Sequence, residues 1–163
     1  GEGHQTIRSY KTKFGYWTFK KYFKFAIVRN PFDRFETTYY FLMQGGINRF
    51  DKEWAKEYLS KAKDINDFAI NYLNKDLIMN SIHFRLQKDF VCDDNGKVMV
   101  DHVARFENLH EEFKYLSKRI LGKELDLPVR NQSIRNDRVK LCPEAIRIIR
   151  ELYKDDFMIF EYD

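Results

Sequence analysis

Two arginines and two adjacent threonines surround an Asn-Pro turn in the stretch KFAIVRNPFDRFETTYYFL, residues 24–42. Arg29 ends an apolar run, and Arg34 follows the turn. Thr37 and Thr38 lie three and four residues after Arg34, so a helix would place them on its face. Guanidinium groups match tetrahedral oxyanions, and a helix N-terminus favours negative charge. The pattern therefore predicts a site for phosphate or sulfate.

An ordinary structural role for these side chains stays open at this point. Arg34 can pair with Glu36 or Glu107, and threonine hydroxyls in a helix can bond to carbonyls of the preceding turn. The net charge of +4 and the pI of about 8.9 fit an anionic ligand, but they are equally typical of a solvated surface.

The elements around the turn are predicted from local pattern. The short apolar run 24–28 is typical of a buried strand. Asn30 is a good helix cap, Pro31 suits the first helical position, and an apolar stripe follows at helical spacing until Gly45-Gly46 ends the helix. The pattern predicts a strand that feeds directly into a helix, with the arginines at the junction.

The rest of the chain predicts a helix-rich α/β domain. Further helices are expected over 51–60, 64–74, 76–83, 109–121 and 143–154, and a hairpin over 87–106 turning at 94–96, whose last part, 101–106, is a strand that leads into a helix. Two strands that each feed a helix favour a parallel sheet, whose ligands bind at the carboxyl ends of the strands. Arg29 and Glu107 stand at these two ends.

Composition is consistent with a single globular domain over 1–163, which is 44% hydrophobic and 33% charged. Cys92 and Cys142 form no CxxC pair and are expected to be reduced thiols, with one disulfide as the alternative. The four histidines have no metal-ligand spacing, so no metal is predicted. No apolar run is long enough to span a membrane. We expect a cytoplasmic location if the protein is bacterial; an anchor of the Golgi type would lie outside this chain.

The segment VRNPFDRFETTY resembles the 3′-phosphate-binding motif of PAPS-dependent sulfotransferases, in which an arginine ends a strand and Pro-x-x-Arg-x-x-Ser begins the next helix. The likeness is greatest to the carbohydrate sulfotransferases, in particular the heparan-type 2-O-sulfotransferases and bacterial relatives. The resemblance implies that Arg29 and Thr37 hold the 3′-phosphate of PAPS, with Arg34 in support. Thr37 stands where the family usually has serine, so the hydroxyl is kept.

Four further segments resemble family landmarks in the right order. They are HFRLQKDFV, VDHVARFENLHEEF, LPVRNQS and YKDDFMIFEYD. The resemblance implies a three-layer parallel sheet of the P-loop nucleotide-kinase-like type. It also implies transfer of a sulfuryl group from PAPS to a hydroxyl of a carbohydrate-like acceptor, without a metal.

One family landmark has no counterpart in this sequence. The chain contains neither GxxxxGK[ST] nor Pro-Lys-x-x-Gly-Thr-Ser, the loop that holds the 5′-phosphosulfate in the family. That loop lies upstream in the family, so we expect the domain to be N-terminally incomplete, with degeneration as the rival explanation. Because such a loop supplies much of the electrostatic stabilisation of the transferring group, we expect this chain to be inactive or nearly so.

Other residues are assigned by resemblance or by spacing. His4 stands about where a Gly-His segment supplies the catalytic base in 2-O-sulfotransferases; a disordered terminal histidine is the alternative. His83, Arg85 and Gln87 alternate, so an extended segment would place them on one face, either in an acceptor site or in structural hydrogen bonds. The resemblance assigns cofactor contacts to the loop residues Asn131, Ser133 and Arg135; a solvated basic loop is the alternative.

The sequence also permits a function of another class. A non-catalytic module that binds a polyanionic glycan or nucleic acid would use the same cations without a nucleotide pocket. For the leading hypothesis, the expected partner is a hydroxyl-bearing acceptor, with no specific nucleic acid.

Overall fold

A computed structural model describes residues 4–128 and 138–163 of the chain. The two strands are β1 (Phe25–Val28) and β2 (His102–Arg105), and they form a parallel pair in which Phe25 lies opposite His102 and Val28 opposite Arg105. The helices before and after β1 are α1 (Ile7–Phe14), α2 (Tyr16–Lys21), α3 (Pro31–Met43), α4 (Arg49–Trp54), α5 (Ile65–Asp67) and α6 (Lys75–Asn80). The later helices are α7 (Lys88–Val91), α8 (Leu109–Leu121), α9 (Pro143–Leu152) and α10 (Lys154–Ile159).

The parallel pairing of the two strands confirms the sheet direction expected from the sequence. Helix α3 begins as expected, with the Asn30 side chain accepting a hydrogen bond from the Phe32 amide and Pro31 at the first helical position. Helix α4 continues as a π-helical turn over Ala55–Leu59, and α5 continues likewise over Phe68–Tyr72. The described residues contain a sheet of two strands, so a three-layer, P-loop-like arrangement stays a prediction.

One local expectation was wrong, and two helices were not predicted. The hairpin over 87–106 is reduced to one isolated antiparallel bridge between Cys92 and Val98, because its first part forms α7; its last part is β2, which pairs with β1 instead. The N-terminal segment, for which no element was expected, forms α1, capped by the Thr6 hydroxyl. The closing aromatic segment forms α10.

An aromatic core packs the helices together. Phe35 on α3 packs against both Phe68 and Phe84, with ring centroids 6.1 and 5.6 Å away. Tyr153 is buried beside them and donates a hydrogen bond to the Phe84 carbonyl at 2.6 Å. A smaller cluster under the sheet joins Val28, Val91, Cys92 and Phe160. Together these clusters fix α3, the turn at residues 81–87 and the C-terminal helices relative to β1.

The outer face of β1 is less covered than its inner face. Ala26 and Val28 face the smaller cluster, whereas Phe25 and Ile27 are 43% and 49% exposed. The alternation follows from strand geometry, which turns successive side chains to opposite faces. Cys92 and Cys142 are free thiols.

Candidate functional site

Arg29 lies at the carboxyl end of β1, and its backbone is held by one side chain. The amide oxygen of Gln87 accepts from the Arg29 N–H at 2.9 Å, and the Gln87 amide nitrogen donates to the Arg29 carbonyl at 2.9 Å. The Arg29 guanidinium lies over the Phe106 ring, 4.4 Å from its centroid, and 3.7 Å from an Asp33 carboxylate oxygen. Only 14% of the Arg29 side chain is exposed, so the guanidinium has a defined position.

The backbone amides at the start of α3 already have acceptors. The Asn30 N–H donates to a Glu107 carboxylate oxygen at 2.7 Å, and the Phe32 N–H donates to the Asn30 side chain at 2.9 Å. The expectation of an open, anion-binding helix terminus was therefore wrong for these two amides. An anion near Arg29 would depend on side chains more than on the helix N-terminus.

Glu107 links this turn to the end of the chain. Its other carboxylate oxygen accepts from the Tyr162 hydroxyl at 2.8 Å. Partial burial opposes ionisation, but the Asn30 N–H, the Tyr162 hydroxyl and the positive charge of Arg29 outweigh it and hold the pKa of Glu107 below its usual value. Glu107 therefore has a structural role, but through the Asn30 N–H and the Tyr162 hydroxyl, whereas Arg34, its possible partner from the sequence, donates to the His83 carbonyl.

Asp156 positions Gln87 from the other side. It is fully buried, and its two carboxylate oxygens accept from the Gln87 N–H at 2.8 Å and from the Lys88 N–H at 2.9 Å. Burial raises the pKa of the Asp156 carboxyl, although both amides oppose that shift. The C-terminal helix thereby caps α7 and sets the place from which Gln87 reaches Arg29.

A cavity of about 370 Å³ lies beside β1 and brings together several of the predicted residues. Its polar lining comes from His4, Arg34, Thr38, His83 and Gln87. Two of the larger cavities, of about 530 Å³ each, contain none of the predicted site residues. One is lined mainly by aromatic residues of α1 and α2, and the other by Trp54, Tyr58 and polar residues near α6. The chemistry of the lining selects the smaller cavity as the candidate site.

Arg34 and Arg29 have different partners. Arg34 Nη2 donates to the His83 carbonyl at 2.9 Å, whereas Arg29 is held by Phe106 and Asp33. Thr38 lines the cavity with Arg34; Thr37 is half-buried and does not. The two arginines therefore do not share one set of contacts: Arg34 lines the cavity with Thr38, whereas Arg29 contacts Phe106 and Asp33.

The alternating set at residues 83–87 does not share an extended face. The segment is a turn, so His83 and Gln87 line the cavity while Arg85 turns away to pair with Asp89 at 3.2 Å. His4 is exposed and lies edge-on to His83, with ring centroids 6.5 Å apart. Asn131, Ser133 and Arg135 lie outside the described residues.

Two buried carboxylates were missed from the sequence. Asp51 contacts His83, and Asp156 holds the turn that carries Gln87. The only local signal for Asp51 was its place three residues after Asn48, at the start of a helix; Asp156 lies within YKDDF, a segment noted only for its resemblance. Within the described residues, no group of three or more potential ligands could hold a metal ion, and no helix could cross a membrane.

Comparison with known proteins gives a family but no individual relative. A family model described as the sulfotransferase family matches residues 2–163. Searches of curated proteins and of solved structures returned no match. Because the match covers nearly the whole chain, including both strands and every residue of the cavity, the protein belongs to the sulfotransferase family.

Proposed function

We propose that this chain is a PAPS-dependent sulfotransferase domain that acts on a hydroxyl of a carbohydrate-like acceptor. The family supports sulfuryl transfer in general. The observation that carries the finer proposal is the placement of Arg29: Gln87 fixes its backbone at the end of β1, and Phe106 fixes its guanidinium. A preplaced guanidinium at that edge suits a phosphate group.

The described residues fit the donor nucleotide in part. Arg29 and Thr37 would hold the 3′-phosphate, and Arg34 would support them from the neighbouring cavity. Asn131, Ser133 and Arg135, which lie outside the described residues, would add further contacts. PAPS supplies the activated sulfuryl group when bound. The sequence contains no recognisable loop for the 5′-phosphosulfate, so we expect slow or no turnover by this chain alone.

The acceptor is proposed to enter the cavity beside β1. His4 stands at its rim as the proposed base for the acceptor hydroxyl, and His83 and Gln87 line it. Arg34 lies in the same cavity, where its positive charge favours an anionic or oxygen-rich acceptor such as a saccharide. Arg85 has no place in this proposal, because it faces Asp89.

Nucleotide selectivity tests the proposal without requiring turnover. A ligand that binds only the folded protein raises its melting temperature in proportion to the logarithm of its concentration over Kd. We expect 3′-phosphoadenosine 5′-phosphate to raise Tm more than AMP does, because only the former carries the 3′-phosphate. Arg29→Ala should abolish that difference. Arg147→Ala is the matched control, since it removes one positive charge from an exposed pair with Glu151 on α9.

The same titration separates the alternative function. Segment 3–32 contains seven lysines and arginines and no carboxylate, which favours a non-catalytic module for polyanionic glycan. Such a module would shift Tm equally with both nucleotides or with neither, and would bind heparin with a steep dependence on salt. That result would overturn the nucleotide site.

A further inference from the structure

Asp51 is a buried carboxylate whose two oxygens have different hydrogen-bond partners. It is 6% exposed, and Oδ2 accepts from the Ile47 N–H at 3.1 Å and from the Asn48 side-chain amide at 3.0 Å. Oδ1 lies 2.8 Å from Nε2 of His83. Gly46 packs so closely that a Cβ there would collide with Asp51 Cβ. The carboxylate therefore has little freedom to turn.

The protonation of Asp51 determines which nitrogen of His83 carries hydrogen. Burial opposes ionisation, but the Ile47 N–H, His83 and Asn48 outweigh it and hold the pKa of Asp51 below its usual value. An ionised carboxylate only accepts hydrogen bonds. His83 Nε2 must therefore donate, which leaves the lone pair of a neutral imidazole on Nδ1.

The rest of His83 is fixed toward the cavity. Arg34 donates to its carbonyl at 2.9 Å, Phe41 packs against its ring with centroids 5.8 Å apart, and His83 lines the cavity with its ring edge-on to that of His4. Within the described residues, Nδ1 has no hydrogen-bond partner. His4, by contrast, has no carboxylate to orient it among those residues.

We propose that Asp51 is a positioning residue that fixes His83 in the Nε2–H tautomer and thereby makes Nδ1 a proton acceptor of the candidate site. The role in transfer rests on the function proposed above. In that step the acceptor O–H proton passes to Nδ1 as its oxygen forms the bond to sulfur. The bond from sulfur to the phosphate oxygen breaks, and its electron pair leaves with 3′-phosphoadenosine 5′-phosphate. His83 joins His4 as a proton acceptor in this cavity.

Long-range proton–nitrogen NMR correlations test the tautomer directly in the 163-residue chain. We expect neutral wild-type His83 to be the Nε2–H form. Asp51→Asn should invert it: the single amide oxygen is held by the Ile47 N–H and Asn48, so the new NH₂ group faces Nε2 and makes it an acceptor. An isosteric change that selects the wrong histidine tautomer has precedent in the serine-protease triad.

A second pair supplies the matched control. His102 Nε2 lies 2.7 Å from a Glu112 carboxylate oxygen. Glu112→Gln should change the tautomer of His102 and leave that of His83 unchanged. Asp51→Asn should change the tautomer of His83 and leave that of His102 unchanged. A wild-type His83 in the Nδ1–H form overturns the proposal, and so does an unchanged His83 tautomer in folded Asp51→Asn. The wild-type spectrum decides even if that variant does not fold.

Chemical modification tests whether Nδ1 is presented to the cavity. Diethylpyrocarbonate should modify His83 in the wild type and several-fold more slowly in Asp51→Asn, as measured by peptide mass spectrometry. In that variant Nδ1 carries hydrogen and the lone pair of Nε2 accepts a hydrogen bond from the new amide. An unreactive wild-type His83 would contradict a presented Nδ1. Neither readout uses a nucleotide, so failure of nucleotide selectivity and failure of this inference can be told apart.

Discussion

The side-chain amide of Gln87 pairs with both backbone groups of Arg29, as a neighbouring strand would. Oε1 accepts from the Arg29 N–H and Nε2 donates to the Arg29 carbonyl, each at 2.9 Å, although the two residues are 58 apart in sequence. Gln87 is itself buried, at 8% exposure. The end of β1 thus owes its shape to a residue from a distant turn.

Removing this amide should weaken both the fold and the candidate site. Gln87→Ala leaves two backbone groups of Arg29 without their partners, which is expected to cost about 2–4 kcal/mol of unfolding free energy. Urea unfolding measures the loss. Gln44→Ala, at the exposed end of α3, should change stability by less than about 0.5 kcal/mol. Equal effects of the two substitutions would contradict the role given to Gln87.

The two threonines of α3 should differ in nucleotide binding. Thr37→Val keeps the shape and removes the hydroxyl, so affinity for 3′-phosphoadenosine 5′-phosphate is expected to fall about tenfold or more, as for a hydrogen bond to a charged group. Thr38→Val should leave it unchanged, because Thr38 lines the cavity instead. Isothermal titration compares the two variants, and a larger loss in Thr38→Val would reverse the assignment.

The buried hydroxyl of Tyr153 should contribute measurably to stability. Tyr153→Phe removes the donor to the Phe84 carbonyl and leaves that oxygen buried, at a cost of about 1–2 kcal/mol. Tyr16→Phe is the control, since Tyr16 is 54% exposed. Chemical denaturation with unchanged m-values would show that the change acts on the folded state. Equal stability of wild type and Tyr153→Phe would mean that this bond adds nothing.

Glu107 should make stability depend on acid. Glutamate in an unfolded chain titrates near pH 4.3, about its ordinary value, and the folded-state pKa of Glu107 is lower. The stability that the ionised Glu107 contributes is therefore fully present above its pKa in the unfolded chain. It is lost as pH falls through its pKa in the folded protein. Glu107→Gln should flatten the fall of unfolding free energy below about pH 5.

Tyr162→Phe provides an intermediate case for the same measurement. It removes one of the donors that lower the pKa of Glu107, so part of the acid dependence should remain. Denaturation curves collected between neutral pH and pH 3 would compare the three proteins. Identical slopes for wild type and Glu107→Gln would show that this carboxylate does not couple folding to pH.

The parts of the fold that local sequence controls could be predicted. Asn30 and Pro31 mark the start of α3, and Gly122, in the left-handed conformation, marks the end of α8. Helix α8 spans Leu109–Leu121, as expected from its apolar period. Each of these signals lies within a few residues of the boundary that it sets.

The parts that depend on distant partners could not be predicted. The run at 88–91 has no distinctive period, and it becomes helical where Asp156, 68 residues away, accepts from its first amide. The alternating spacing predicted that Arg85 shares a face with His83 and Gln87. The segment is a turn instead, and Arg85 forms an ion pair with Asp89. Spacing also could not show that Asp51 meets His83 across 32 residues. Motifs identified the cations of the site, whereas its buried carboxylates required the fold.

The parallel pairing of β1 with β2 sets an order of events during synthesis. Phe25 pairs with His102, so the ribosome must add 77 residues after Phe25 before the first residue of the partner strand has been made. At about 5–20 residues per second, synthesis of this stretch takes on the order of 4–15 s. During that time the apolar segment FAIV has no strand to pair with, and its free backbone groups could pair with another chain. Nascent chains are therefore expected to need a chaperone at this stage more than the finished domain does.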